Sequence, residues 1–136
     1  MERWREVFIG EIPKGVYQMQ MVNGEKQGLT IELSSANVCV MLKFGMVQAV
    51  RMLDEGIVQN DLYSDAAVKE YKDNNFTNVI YEVQQGEFAK QISKISGEYG
   101  RILRLKHYVV ITQNYNLDIV TEWEPTIEVT HRKYHD

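Results

Sequence analysis

Val16-Tyr17-Gln18-Met19-Gln20-Met21-Val22-Asn23-Gly24-Glu25-Lys26-Gln27-Gly28-Leu29-Thr30-Ile31-Glu32-Leu33 is the stretch that decides the fold. Tyr17, Met19 and Met21 fall on one side and Gln18 and Gln20 on the other. Leu29, Ile31 and Leu33 repeat the pattern against Thr30 and Glu32. A period of two places successive side chains on opposite faces of an extended chain, so both segments read as strands. Asn23-Gly24 stands between them. Both residues tolerate positive φ, so the pair predicts a hairpin turn there.

The pattern continues on both sides of this hairpin. Residues 6–9 form a short apolar strand that stops at Gly10. After the turn Ser34-Ser35-Ala36-Asn37, residues 38–44 are apolar on both faces, which predicts a central strand. Residues 46–53 fit a strand, although Met46, Val47, Val50 and Leu53 also fit a helical period; the succession of hairpins favours the strand. The turn Asp54-Glu55-Gly56 ends it. Beyond it the character changes. Ser64 is a suitable N-cap for a helix over 65–72, which Asn74-Asn75 ends, and 79–83 is a strand. Residues 86–96 carry Phe88, Ile92 and Ile95 at helical spacing with Ala89 beside them, and Gly97 is the natural C-cap. This face is expected to cover buried strand residues such as Leu42 and Ile111. Strands over 106–113 and 117–122 join through a hairpin tip, Asn114-Tyr115-Asn116. A last extended piece, 126–130, follows Pro125, and 131–136 is a frayed polar tail. The expected fold is α+β: one twisted, mainly antiparallel sheet with two helices packed on one face. With 136 residues and no linker or repeat, the chain reads as a single domain, 1–136.

Composition narrows the function classes. Fifteen Lys and Arg against nineteen Asp and Glu give a net charge of −4, which repels phosphate backbones and argues against direct binding to nucleic acid. A lone cysteine, Cys39, removes the internal disulfide and the Cys-based zinc cluster, and its apolar neighbours predict a small buried hydrophobe. Charged Glu2, Arg3, Arg5 and Glu6 make the N-terminus unlike a secretory signal, and no apolar run is long enough to span a membrane. The expected location is the cytoplasm, without membrane attachment. His131 and His135 lack a helix to pair them on a metal, and phosphate-loop glycine patterns are missing, so no metal and no cofactor is expected. Gly97-Glu98-Tyr99-Gly100 follows a helix where a phosphate loop would open one.

Catalysis finds little purchase. His107 opens a strand without a nucleophile or carboxylate beside it in sequence, so a structural hydrogen bond is the favoured role and no catalytic residue is assigned. A small hydrolase that uses His107 is the alternative, as is a ligand-binding or oligomer-forming domain. The more distinctive feature is a gathering of rings and acids near the C-terminus. Asp118, Glu122 and Glu124 share one parity with Val120, Trp123 takes the other, and Tyr115 sits in the hairpin tip. Rings supply desolvated contact area and acids steer a basic partner, so Tyr115, Asp118, Glu122, Trp123 and Glu124 are candidate partner contacts, with the turn acids Asp54 and Glu55 as neighbours. An edge strand protected by charge is the plainer explanation of the same residues.

Several phrases carry a resemblance. They are Phe8-Ile9-Gly10-Glu11-Ile12-Pro13 with Gly15 and Tyr17, Phe44-Gly45 leading to Arg51-Met52-Leu53-Asp54-Glu55-Gly56, and Ile80-Tyr81-Glu82-Val83 with Glu87-Phe88. Lys106-His107-Tyr108 and Thr121-Glu122-Trp123-Glu124-Pro125 complete them. With these the chain resembles small cytosolic immunity proteins encoded beside polymorphic, contact-dependent toxins in bacteria. The resemblance implies a non-enzymatic protein that binds and neutralises a cognate toxin domain, often a nuclease, by steric and electrostatic occlusion. It leaves the oligomeric state open.

Overall fold

A computed structural model describes residues 2–54, 65–97 and 104–131, with the backbone alone for 65–68. In chain order the elements are β1 (Arg3–Glu6), β2 (Gln18–Gly24), β3 (Gly28–Ser34), β4 (Val38–Gly45), β5 (Ala49–Asp54), α1 (Asp65–Asp73), β6 (Ile80–Gln84), α2 (Glu87–Ser96), β7 (Lys106–Ile111), β8 (Tyr115–Thr121) and β9 (Thr126–His131). The strands do not form one sheet. They form a five-stranded sheet in the order β1-β6-β7-β8-β5 and a four-stranded sheet in the order β2-β3-β4-β9, every ladder antiparallel. The fold is therefore mainly β, and the expectation of an α+β chain with a single sheet is corrected.

The reason lies in what covers each face. Met19, Leu29, Ile31, Leu33, Val40, Leu42 and Phe44 point inward from the four-stranded sheet and meet Ile80, Tyr108, Val110, Leu117 and Ile119 of the five-stranded one. This inter-sheet core excludes water from both inner faces, and its area is the main stabilising term. Leu42 is buried there, out of reach of the role expected for it under a helix. The second face of the five-stranded sheet carries Trp4, Tyr81, Val83 and Val109, packed with Tyr71 of α1, Phe76 and half-buried Ile111. Phe88 of α2 lies over the same face, against His107 and Arg51. Both helices thus cover one face of one sheet. No side chain of α2 is fully buried, and Ile95 is largely exposed. The outer face of the four-stranded sheet is polar. Cys39 lies on it half-exposed, with Sγ 3.8 Å from Glu32 Oε1, and is not the buried hydrophobe expected.

Local signals explain most boundaries. α1 ends in a Schellman motif: Phe76 N–H donates to Tyr71 C=O and Asn75 N–H to Lys72 C=O, with Asn75 at φ 59°. The segment 46–53 is a strand from Ala49, where a helix had also fitted. The first strand lies earlier than 6–9, because Phe8 and Gly10 take positive φ in a turn. His131 is no frayed tail residue; it pairs with Val38. Ser64, the Glu55-Gly56 turn, Glu98-Tyr99-Gly100 and 132–136 lie outside the described residues.

Two hairpins turn elsewhere than predicted. Asn23 and Gly24 are ladder residues, opposite Leu29 and Gly28, and the loop is Glu25-Lys26-Gln27. Ile111 pairs with Asn116 and Thr112 N–H donates to Tyr115 C=O, so Gln113-Asn114 make the second turn. That tip is docked, not free. Asn114 Oδ1 accepts from Met19 N–H at 3.0 Å, its Nδ2 donates to Met19 C=O at 3.0 Å, and Gln113 N–H donates to Tyr17 C=O at 2.8 Å. One amide side chain thus closes both backbone groups of an edge residue and ties the sheets together. Asn114→Asp should cost about 2 kcal/mol or more, since it sets a carboxylate oxygen against a carbonyl, while Gln113→Ala keeps its backbone bond and should stay within about 0.5 kcal/mol. Urea unfolding of the two variants side by side checks the difference.

Among the described residues, no helix is long and apolar enough to cross a membrane.

Candidate functional site

Three strands carry a charged line across the helix-covered face. His107 on β7 and Asp118 on β8 lie diagonally, since Asp118 pairs with Val109, and Arg51 on β5 stands directly opposite Asp118. His107 Nε2 lies 2.8 Å from Asp118 Oδ1. Arg51 donates to Oδ2 through Nε at 2.9 Å and Nη2 at 2.6 Å. The carboxylate is 1 % exposed, so both its oxygens need these partners to remain charged away from water. With Asp118 ionised and the imidazole neutral, His107 Nε2 donates the shared bond and Nδ1 is left as an acceptor. Phe88 roofs the cluster: the Arg51 guanidinium lies 4.8 Å from its ring centroid and the His107 ring 6.0 Å away.

Two hollows flank this histidine. A recess of about 80 Å³ lies on the Nε2 side, lined by Glu2, Trp4, Arg51, Phe88 and Asp118. A cleft of about 490 Å³ lies on the other, lined by Gly86, Ala89, Lys90, Ser93, Lys106 and His107 itself. Nδ1 is buried and has no hydrogen-bond partner among the described residues. It faces Gly86, where an added Cβ would collide with it and come within 2.8 Å of His107 Cε1. A histidine held by a carboxylate has the orientation a general base needs. Among the described residues the hydrogen-bond and ring partners of His107 are Asp118 and Phe88, and neither is a nucleophile.

The sequence-predicted contacts do not gather into one patch. Asp118 is buried in the ionic cluster and offers nothing to a partner. Tyr115 is half-buried against the inter-sheet core, and Asp54 pairs with it across β5 and β8. Glu122, Trp123 and Glu124 lie at the opposite end of β8, on the order of 20 Å away at the rise of a strand. Glu55 lies outside the described residues. The edge-strand explanation also fails, because β8 runs between β7 and β5 with Asn116 to Thr121 buried on both faces.

What remains at the far end is a corner. Residues 122–125 carry the chain from β8 in one sheet to β9 in the other, and 46–48 carry it from β4 to β5 alongside. Trp123 is 63 % exposed there, as is Met46 at 63 %. Glu122 accepts from Gln48 Nε2 at 3.2 Å, and Glu124 pairs with Lys106 at 3.4 Å on the surface. Comparison with known protein families, with characterised proteins and with solved structures finds no match.

The residue missed in sequence is Arg51, together with its link to His107. The turn placement hid it. Centring the hairpin on Tyr115 pairs odd residues with odd ones, which puts His107 and Asp118 on opposite faces. The true turn at Gln113-Asn114 pairs odd with even and brings them onto one face.

Proposed function

We propose that this chain is a non-enzymatic binding protein of the immunity type, which neutralises a cognate toxin domain by covering its working surface. The observation that carries this reading is Trp123, a large ring held 63 % exposed at a corner between two sheets. An indole has two side-chain torsions to freeze, so it costs little conformational entropy for the area it buries, which is why aromatic side chains anchor interfaces. Its N–H donates to Thr121 Oγ1 at 3.3 Å, so the backbone that presents it is braced. Glu122 and Glu124 flank it and supply negative charge toward a basic partner, partly offset by Lys106. Exposed pairs of this kind contribute little by themselves, so the ring is the anchor and the acids steer. Asp118 and Tyr115 have no part in the contact.

Surface-plasmon kinetics against the toxin domain encoded beside the chain test the reading. Trp123→Ala should speed dissociation and cost about 2 kcal/mol or more. Glu122→Lys and Glu124→Lys should slow association, and by less at high salt, because a screened long-range field carries the effect. Tight binding left unchanged by all three variants would move the contact elsewhere, and no binding to that domain would end the proposal.

A further inference from the structure

We infer that the cleft beside His107 is a binding site for a small organic anion that also carries a hydroxyl group, independent of the Trp123 corner. The first support is the state of His107. The residue is 5 % exposed, its Nε2 is committed to Asp118, and Nδ1 is buried without a partner among the described residues. A buried acceptor left open costs free energy comparable to a lost hydrogen bond, so a donor from a ligand is favoured there. The second support is shape. Gly86 packs directly over Nδ1, where a Cβ would collide with it, and both residues line a cleft of about 490 Å³, large enough for a small metabolite. Any side chain at position 86 would press on the imidazole. The third is charge. Lys90 and Lys106 line the same cleft and, among the described residues, are held by surface pairs, Lys90 to Glu87 at 3.7 Å and Lys106 to Glu124 at 3.4 Å. Such pairs yield readily to a stronger anion. Glu82 is the acid of the lining, and its Oε1 is taken by Arg5 at 2.8 Å. A donor at Nδ1 and an anionic group at the two lysines define a hydroxylated phosphate or carboxylate. Arg51 serves this site only through Asp118, which fixes which edge of the imidazole faces the cleft.

Nuclear magnetic resonance on the whole chain tests the site with glycerol 3-phosphate, ribose 5-phosphate and citrate as probes. Glycerol and inorganic phosphate each carry one half of the chemistry and act as controls. At least one probe should bind saturably at or below about 10 mM, move the His107 imidazole nitrogen resonances, and perturb the Gly86 and Lys106 amides. The single-feature controls should bind about tenfold more weakly or worse. His107→Gln keeps a donor where Nε2 stands and loses the acceptor where Nδ1 stands, so it should fold and lose about tenfold or more in affinity. The exposed double variant Lys90→Gln with Lys106→Gln should weaken binding without changing the melting temperature. Unmoved His107 resonances with all three probes overturn the inference. So does inorganic phosphate binding as well as glycerol 3-phosphate, or a folded His107→Gln with undiminished affinity.

Discussion

Asp118→Ala is expected to remove about 3 kcal/mol or more of unfolding free energy, because it strips a buried ionic cluster of its centre. Asp118 is 1 % exposed and holds His107 at 2.8 Å and Arg51 at 2.6 Å. Without the carboxylate the Nε2–H of His107 is buried with nothing to accept it, and Arg51 loses both its hydrogen bonds. The Arg51 side chain is 33 % exposed, so it can reach water in part, which sets the expected loss at the lower end of the range for broken buried pairs. Asp118→Asn should cost less, since its amide oxygen still accepts from His107. Glu128→Ala is the surface control: its bond to Lys43 spans 3.1 Å between two exposed side chains, and its loss should cost under about 1 kcal/mol. Urea unfolding followed by the fluorescence of buried Trp4 measures all three. If Asp118→Ala and Glu128→Ala lie within about 0.5 kcal/mol of each other, the cluster does not hold the sheet together.

Gly28→Ala should be as damaging, by about 3 kcal/mol, for a reason of backbone geometry. Gly28 has φ +70°, where an L side chain costs about 1–2 kcal/mol. A Cβ there would also run into the carbonyl of Gly45 and lie 2.6 Å from the Met46 nitrogen. These are main-chain atoms at a β-bulge, where Leu29 pairs with Gly45 and Thr30 with Lys43, so no side-chain rotation relieves the overlap. Gly24 sits directly opposite in the ladder with open space around its Cβ position, and Gly24→Ala should stay within about 0.5 kcal/mol. Thermal unfolding of the two variants distinguishes them. Equal melting temperatures would show that the close approach of Gly28 to Gly45 is not a constraint.

Alternation by itself located β2 and β3, whereas the first strand, expected at 6–9, lies at Arg3–Glu6. Gln18, Met19, Gln20, Leu29, Thr30, Ile31 and Glu32 announce strands because a pleated chain reverses its side chains at each residue, and that signal needs no knowledge of neighbours. Phe88, Ala89 and Ile92 announce α2 in the same way, and Asn75 announces the end of α1 by tolerating positive φ. What alternation cannot say is what lies against the apolar face. Leu42 reads the same whether a helix or a second sheet covers it, so the division into two sheets became visible only in the pairing of β4 with β9 and β5 with β8. Register was the other decision left to the tertiary structure. Asn114 was drawn into the turn by its bonds to Met19, on a strand remote in sequence, and the small displacement of the turn this implies exchanges the two faces of β8 relative to β7. That exchange buried Asp118 beside His107 and Arg51, apart from Trp123, which is exposed at the corner. The sequence determined which segments extend and which coil, because those preferences act between near neighbours. Which carboxylate meets which histidine was settled by contacts between residues far apart in the chain, which no local preference encodes.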